Sequence, residues 1–265
     1  MLGKSLTVAL NALALGKTKL SSFVHATIDP LLLTPNALVR RFFRLVDQNP
    51  DVFPAGPARG VIPGGSFERV MIIGDRSAVG LGVSDHADGI GGQLAQHLAT
   101  ARDGGIEWSA FQLPRGRIED APTFVAEHSA VIVTDVVVLM VGITDVLRLT
   151  SRGTWRTSLD DTLTKLDQLL QNDAFIIVAL VPPLEHLGGL SRLARLAAGS
   201  RARGINRITR ELVAAKPRSI AVDFPAALNA RLWEPWAQQR AHGAIYARWA
   251  AALAGALLAL RRPVA

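Results

Sequence analysis

Residues 69–83 read RVMIIGDRSAVGLGV. The first six, Arg69 to Gly74, form a β-branched run that stops on a glycine, and an aspartate and a chain of small residues follow. That pattern is a strand entering a tight turn. Outward from it, the order repeats. Gly91 to Ala101 sets Leu94, His97 and Leu98 on one helical face, and Ile106 to Gln112 reads as a second strand. Ala121 to His128 fits a helix, and Val136 to Gly142 (VVVLMVG) a third strand that is apolar on both faces. Ser158 to Gln171 aligns Leu159, Leu163, Leu166 and Leu170 at helical spacing, a core stripe. Phe175 to Val181 (FIIVALV) is a fourth strand, closed by Pro182-Pro183. Residues 190–215 read as helix, Ser219 to Asp223 as a short fifth strand, and Gly243 to Leu260 as an alanine-rich helix. Strands apolar on both faces, alternating with helices, predict a five-stranded parallel sheet covered on both sides, an α/β/α sandwich. Ligands in such sheets sit at the carboxyl ends of the strands, so Gly74-Asp75, Gly142 to Asp145 and Pro182-Pro183 are expected around one cleft.

The 265 residues divide into an N-terminal segment, 1–48, that reads as helical with breaks at Pro30 and Pro35, a Pro/Gly-rich stretch, 49–66, and the α/β domain, 67–265. Residues 49–66 are expected to wrap across a surface in extended form, without a regular element. Hydrophobic residues make up 49% of the chain, enough for a sizeable core, which excludes disorder. Cysteine is absent, so no disulfide, thiolate nucleophile or Cys-ligated metal enters the reading. The charge sum of +7 points to an anionic partner or membrane surface. Its arginines are scattered apart from Arg40, Arg41 and Arg44 around Phe42 and Phe43, and nucleic acid is not the expected partner. No apolar run in the sequence reaches the ~18 residues of a membrane span. Leu6 to Leu15, between Lys4 and Lys17, is short for a secretory core and is read as a packing or interfacial helix. Cytoplasm is the default location, with membrane-surface contact through the N-terminal segment as an alternative and secretion left open.

The stretch VMIIGDRSAVGLGV resembles the first conserved block of the SGNH/GDSL hydrolases, Gly-Asp-Ser followed by small residues. Gly116 in LPRGRIEDA matches the second-block glycine, and VLMVGITDVLRLTS, followed by Trp155, resembles the Gly-x-Asn-Asp block. VPPLEHLGGL and SRARGINRI resemble the Pro-Pro loop and the arginine-bearing helix, and IYARWA the helix after the Asp-x-x-His block. LVRRFFRL and FPAGPARG resemble the approach segment of bacterial members. The resemblance spans roughly residues 36 to 260 and implies a flavodoxin-like sandwich of SGNH-hydrolase type, with esterase or lipase chemistry in the family's active members.

In that family a serine attacks the acyl carbon, a histidine removes its proton, an aspartate orients the histidine, and an asparagine helps hold the oxyanion. Carried over by position, the nucleophile falls on Arg76, the oxyanion asparagine on Thr144, the histidine on Arg240 and the aspartate on Ala237. Gly116 matches, while Asp75 and Asp145 remain as turn-shaping residues. Losing nucleophile and base together removes most of a hydrolase's acceleration. The resemblance therefore implies a pseudoenzyme that works by binding an anionic or acyl ligand, or by pairing with a protein partner such as an active relative. Arg76 and Arg240 would either hold an anion or be neutralised by Asp75, Asp145 or Glu119. The competing expectation is an active esterase with a displaced Ser77, His242 as base and Glu234 orienting it. The blander expectation is that Ser77 caps the helix after it and His242 lies at the surface.

Metal and cofactor sites are not expected. His25, His86, His97, His128 and His186 are dispersed, without ligand spacing. Gly80, Gly82, Gly89, Gly91 and Gly92 match no phosphate-loop or dinucleotide fingerprint.

Overall fold

The computed structural model describes residues 53–187, 192–228 and 239–261. The N-terminal segment 1–48, Glu234 and Ala237 lie outside them; Arg240 falls within a described helix, but its side chain is not described.

Six strands form one sheet: β1 (Arg59–Ile62), β2 (Phe67–Gly74), β3 (Gly105–Gln112), β4 (Val136–Met140), β5 (Phe175–Ala179) and β6 (Ser219–Val222), in the order β1-β3-β2-β4-β5-β6. The helices are α1 (Ile90–Arg102), α2 (Ala121–Glu127), α3 (Ile143–Leu147), α4 (Arg152–Leu169), α5 (Arg192–Ala214) and α6 (Gln239–Leu260). β2 to β6 are parallel and correspond to the five strands read from the sequence. The order reverses at β2, which pairs with β3 on one side and β4 on the other. That reversal opens a crevice at the strands' carboxyl ends.

Alternation along the strands divides the core. Val70, Ile72, Val136, Val138 and Ile177 face α1 and α6, whereas Met71, Ile73, Val137, Leu139, Ile176 and Val178 face α2, α4 and α5. Each face buries its apolar side chains under helices, the arrangement a parallel sheet requires.

Two expectations need correction. The sheet has six strands, because β1, inside the stretch expected to hold no regular element, pairs antiparallel with β3 from Arg59↔Ser109 to Ile62↔Ile106. Glycine makes that pairing possible: a Cβ on Gly60 would lie 2.7 Å from Trp108 Nε1, and one on Gly64 would lie 2.0 Å from the backbone of Gly105. Pro57 and Pro63 flank the strand without interrupting its ladder. The second correction concerns α6, whose segment His242–Leu260 has the length and hydropathy of a membrane span. Its Ile245, Tyr246, Trp249, Ala250, Leu253, Ala254 and Leu257 are buried in the core beside α1 and the sheet. One face of α6 is thus used in packing.

At the amino end of the sheet, buried Glu68 on β2 joins two helices. Its Oε2 accepts from Arg102 of α1 at 2.8 Å, and its Oε1 from Arg261 just after α6. The Arg261 guanidinium also lies 5.0 Å from the centre of the Phe175 ring.

Candidate functional site

At the carboxyl end of β2 the chain leaves Gly74 and enters a single 3-10 turn, Arg76–Val79. Gly74 is obligatory there, since a Cβ would sit 2.0 Å from the carbonyl oxygen of Met140 on β4. Asp75 caps the turn: its Oδ1 accepts from the Ser77 amide at 3.0 Å and from the Ser77 hydroxyl at 2.5 Å. The capping residue is therefore Asp75 and not Ser77. Burial pushes the Asp75 carboxyl upward from the ordinary carboxylate range, and the Ser77 side chain, the Ser77 amide and the Ile143 amide pull it back.

Ser77 is 9% exposed and faces inward. Together with Asp75 it lines a cavity of about 10 Å³ that also touches Met140, Ile143, Ala179, Pro182 and Trp249. That volume is about one water molecule's worth. Arg76 is half-buried, with its guanidinium 5.8 Å from the centre of the Phe53 ring.

Gly116 reaches the same place from the loop after β3. It has φ +63°, and a Cβ there would lie 3.4 Å from Thr144 Oγ1 and 3.5 Å from Asp75 Cβ. Gly142, with φ +125°, is pressed between Val181 and Trp155 at the start of α3. Asp75, Gly116, Thr144 and Gly142 therefore meet at one end of the sheet, around the crevice expected from the topology.

Asp145 lies beneath them with no exposed surface. Its Oδ2 accepts from the Ile118 amide at 3.1 Å, its Oδ1 from the Thr150 hydroxyl at 2.8 Å, and Arg117 Nε stands 3.9 Å from Oδ1. Burial dominates over these donors and raises the carboxyl to about 6, with the charge of Asp75 adding to the rise. Arg117 in turn pairs with Glu119 at 2.5 Å and donates to Thr150 Oγ1 at 3.0 Å. The three carboxylates of this region have partners of their own: Asp75 holds Ser77, Asp145 holds Thr150 and Ile118, and Glu119 holds Arg117.

From the opposite side, α6 closes over the turn. The Tyr246 hydroxyl donates to the carbonyl of Leu81 at 2.9 Å, and burial together with the Asp75 charge keeps the phenol protonated, so it remains a fixed donor. His242 lies one helical turn earlier and is 7% exposed, so it is a buried residue and not the surface residue expected. Among the described residues no cluster of His, Asp and Glu has the makings of a metal site.

Several supports were not singled out from the sequence. Asn206 on α5 receives the Val181 amide on its Oδ1 and donates its Nδ2 to the Val181 carbonyl, each at 2.9 Å, and so holds the chain entering Pro182-Pro183. The Trp155 indole donates to Thr209 at 3.1 Å. Arg115 fixes the approach to Gly116 by donating its amide to Asp120 at 2.9 Å and its side chain to the same carboxylate. Polar residues such as Asn206 are legible only once the strand that they serve has been placed.

The order β1-β3-β2-β4-β5-β6 and the convergence of Gly74, Gly116 and Gly142 define a sandwich of SGNH-hydrolase type. Solved structures agree. A variant of Axe2, an acetyl xylan esterase from Geobacillus stearothermophilus, superposes with a TM-score of 0.50 at 21% identity, covering 71% of this chain and 94% of that one. An arginine-to-alanine variant of the same protein, described as an acetyl-xylooligosaccharide esterase, gives 0.52 at 20% identity, covering 73% and 96%. At this identity the likeness is one of fold. No protein-family model matches the chain, and no curated protein does.

Proposed function

We propose that this protein is a non-hydrolytic SGNH-fold protein that acts by binding an anionic ligand with an acyl character, a fatty carboxylate, at Arg76. One observation carries the first half: the Ser77 hydroxyl is given to buried Asp75 at 2.5 Å, beside a cavity of about 10 Å³. A nucleophilic serine needs a base aimed at its proton and space for a carbonyl carbon at its oxygen. Ser77 has a carboxylate at its proton, and the cavity that it lines among the described residues is about one water molecule in size. The residue directly after Asp75, where the family resemblance expects the nucleophile, is an arginine.

The second half rests on chemistry. A guanidinium stays protonated at any usable pH and presents a planar fork of donors that suits a carboxylate. Arg76 holds such a fork at the carboxyl end of β2, against the Phe53 ring. Laurate is the chosen probe. It should raise the melting temperature in proportion to RT ln(1 + [L]/Kd), and Arg76→Ala should abolish the rise. Serine-directed phosphonates should leave the protein unlabelled. Stoichiometric labelling at Ser77 would replace this reading with a displaced-serine esterase using His242.

A further inference from the structure

A second concentration of positive charge lies where α4 begins. Arg152 is the first residue of α4, behind the Ser151 cap, whose hydroxyl accepts from the Thr154 amide at 3.0 Å. A cation in this position opposes the helix dipole, and the first turn of α4 holds no acidic residue. The Arg152 guanidinium is laid against α5 at Gly204: a Cβ there would lie 3.1 Å from Nη2 and 3.2 Å from Nε.

One turn before Gly204 on α5 is Arg201. Its Nη2 donates to the Thr150 carbonyl at 2.7 Å, while its Nε is buried without an acceptor. Burial and the charge of Arg152 both act against its protonated form, and no carboxylate offsets them. Among the described residues neither Arg152 nor Arg201 forms an ion pair, whereas neighbouring arginines on the same two helices do: Arg156 pairs with Glu211, Arg203 with Glu185 and Arg210 with Asp223. A Cβ on Gly153, the next residue of α4, would meet only Ser151 Oγ, at 3.8 Å.

Two like charges are held close together, Arg152 against Gly204 and Arg201 on the Thr150 carbonyl, and among the described residues no carboxylate pairs with either. We propose that Arg152 and Arg201 form a binding site for a phosphate-type oxyanion. This site is built from different residues than the Arg76 crevice and does not depend on it. Two forked guanidiniums offer a phosphate donors on more than one side, and an anion there would neutralise the pair.

The test uses the full chain in calorimetric titration and thermal melting with inorganic phosphate, against chloride at matched ionic strength. Phosphate should bind and raise the melting temperature, and Arg152→Gln should weaken binding about ten-fold or more without lowering the melting temperature in chloride, because it removes a repelled charge. Arg201→Gln should do the same to binding; if it unfolds through loss of the Thr150 contact, Arg152→Gln alone decides. Arg76→Ala should leave phosphate binding unchanged, which separates this site from the crevice. Sedimentation with vesicles of phosphatidic acid in phosphatidylcholine then identifies the source. Retention lost in Arg152→Gln assigns a lipid headgroup, and phosphate binding without retention assigns a soluble phosphate compound. Absence of phosphate binding, or binding unchanged in both variants, overturns the proposal.

Discussion

The Ser77 hydroxyl and the Asp75 carboxylate are locked together at 2.5 Å inside the turn that follows β2. The contact is worth more to folding than to chemistry, since a buried carboxylate that loses a hydroxyl donor retains its desolvation cost. Ser77→Ala should therefore lower stability by about 1–3 kcal/mol. It should leave the turnover of short-chain p-nitrophenyl esters unchanged. Denaturant melts and initial-rate assays on the same preparations check both.

Restoring a serine next to Asp75 should not create a hydrolase. In Arg76→Ser the Ser77 proton remains with Asp75, and the position where the family resemblance expects the base holds Arg240. Hydrolysis of p-nitrophenyl acetate should stay at the level of the parent protein. A clear rise in rate would mean that a general base already faces position 76.

Asp145 gives the protein an unusual response to acid. Its carboxyl titrates near 6 in the folded state and near 3.8 in the unfolded one. Between these values the folded state holds the proton more tightly, so this group's contribution to stability rises as pH falls from about 7 to 4. The gain is of order 2–3 kcal/mol. Asp145→Asn, which keeps an acceptor for the Ile118 amide, should flatten that part of the profile in chemical denaturation at stepped pH.

The two glycines of the crevice should differ in tolerance. A Cβ on Gly142 meets Val181 Cγ2 at 2.3 Å at φ +125°, whereas one on Gly116 comes no closer than 3.4 Å, to Thr144 Oγ1, at φ +63°. Gly116→Ala should cost about 1–2 kcal/mol, the strain of a left-handed residue. Gly142→Ala adds overpacking and should cost several kcal/mol, with the soluble yield falling accordingly.

Periodicity carried much of this fold. The apolar runs at 70–73, 136–140 and 175–179 are strands because only a doubly covered sheet can use them. β1 escaped because its pairing depends on the absence of side chains at Gly60 and Gly64, which in sequence looks like a loop. The start of α4, Arg152 to Thr157, escaped because it carries one buried apolar residue, Trp155, ahead of the leucine stripe. At the site, the sequence placed Asp75, Gly116 and Asp145 near each other. Arg117, immediately after Gly116, occupies Glu119 and approaches Asp145, and its role depends on the path of the loop after β3, which no spacing rule describes.

The position of α6 bears on how the chain is made. One face of the sheet, with Val70, Ile72, Val138 and Ile177, is completed by the last helix to emerge from the ribosome among those described, and Arg261 reaches Glu68 of β2 only after that helix. Until then, among the described helices, α1 is the one that covers this face. The nascent sheet, complete only once β6 has been made, therefore carries apolar surface that docking of α6 retires, and such surface is what chaperones bind.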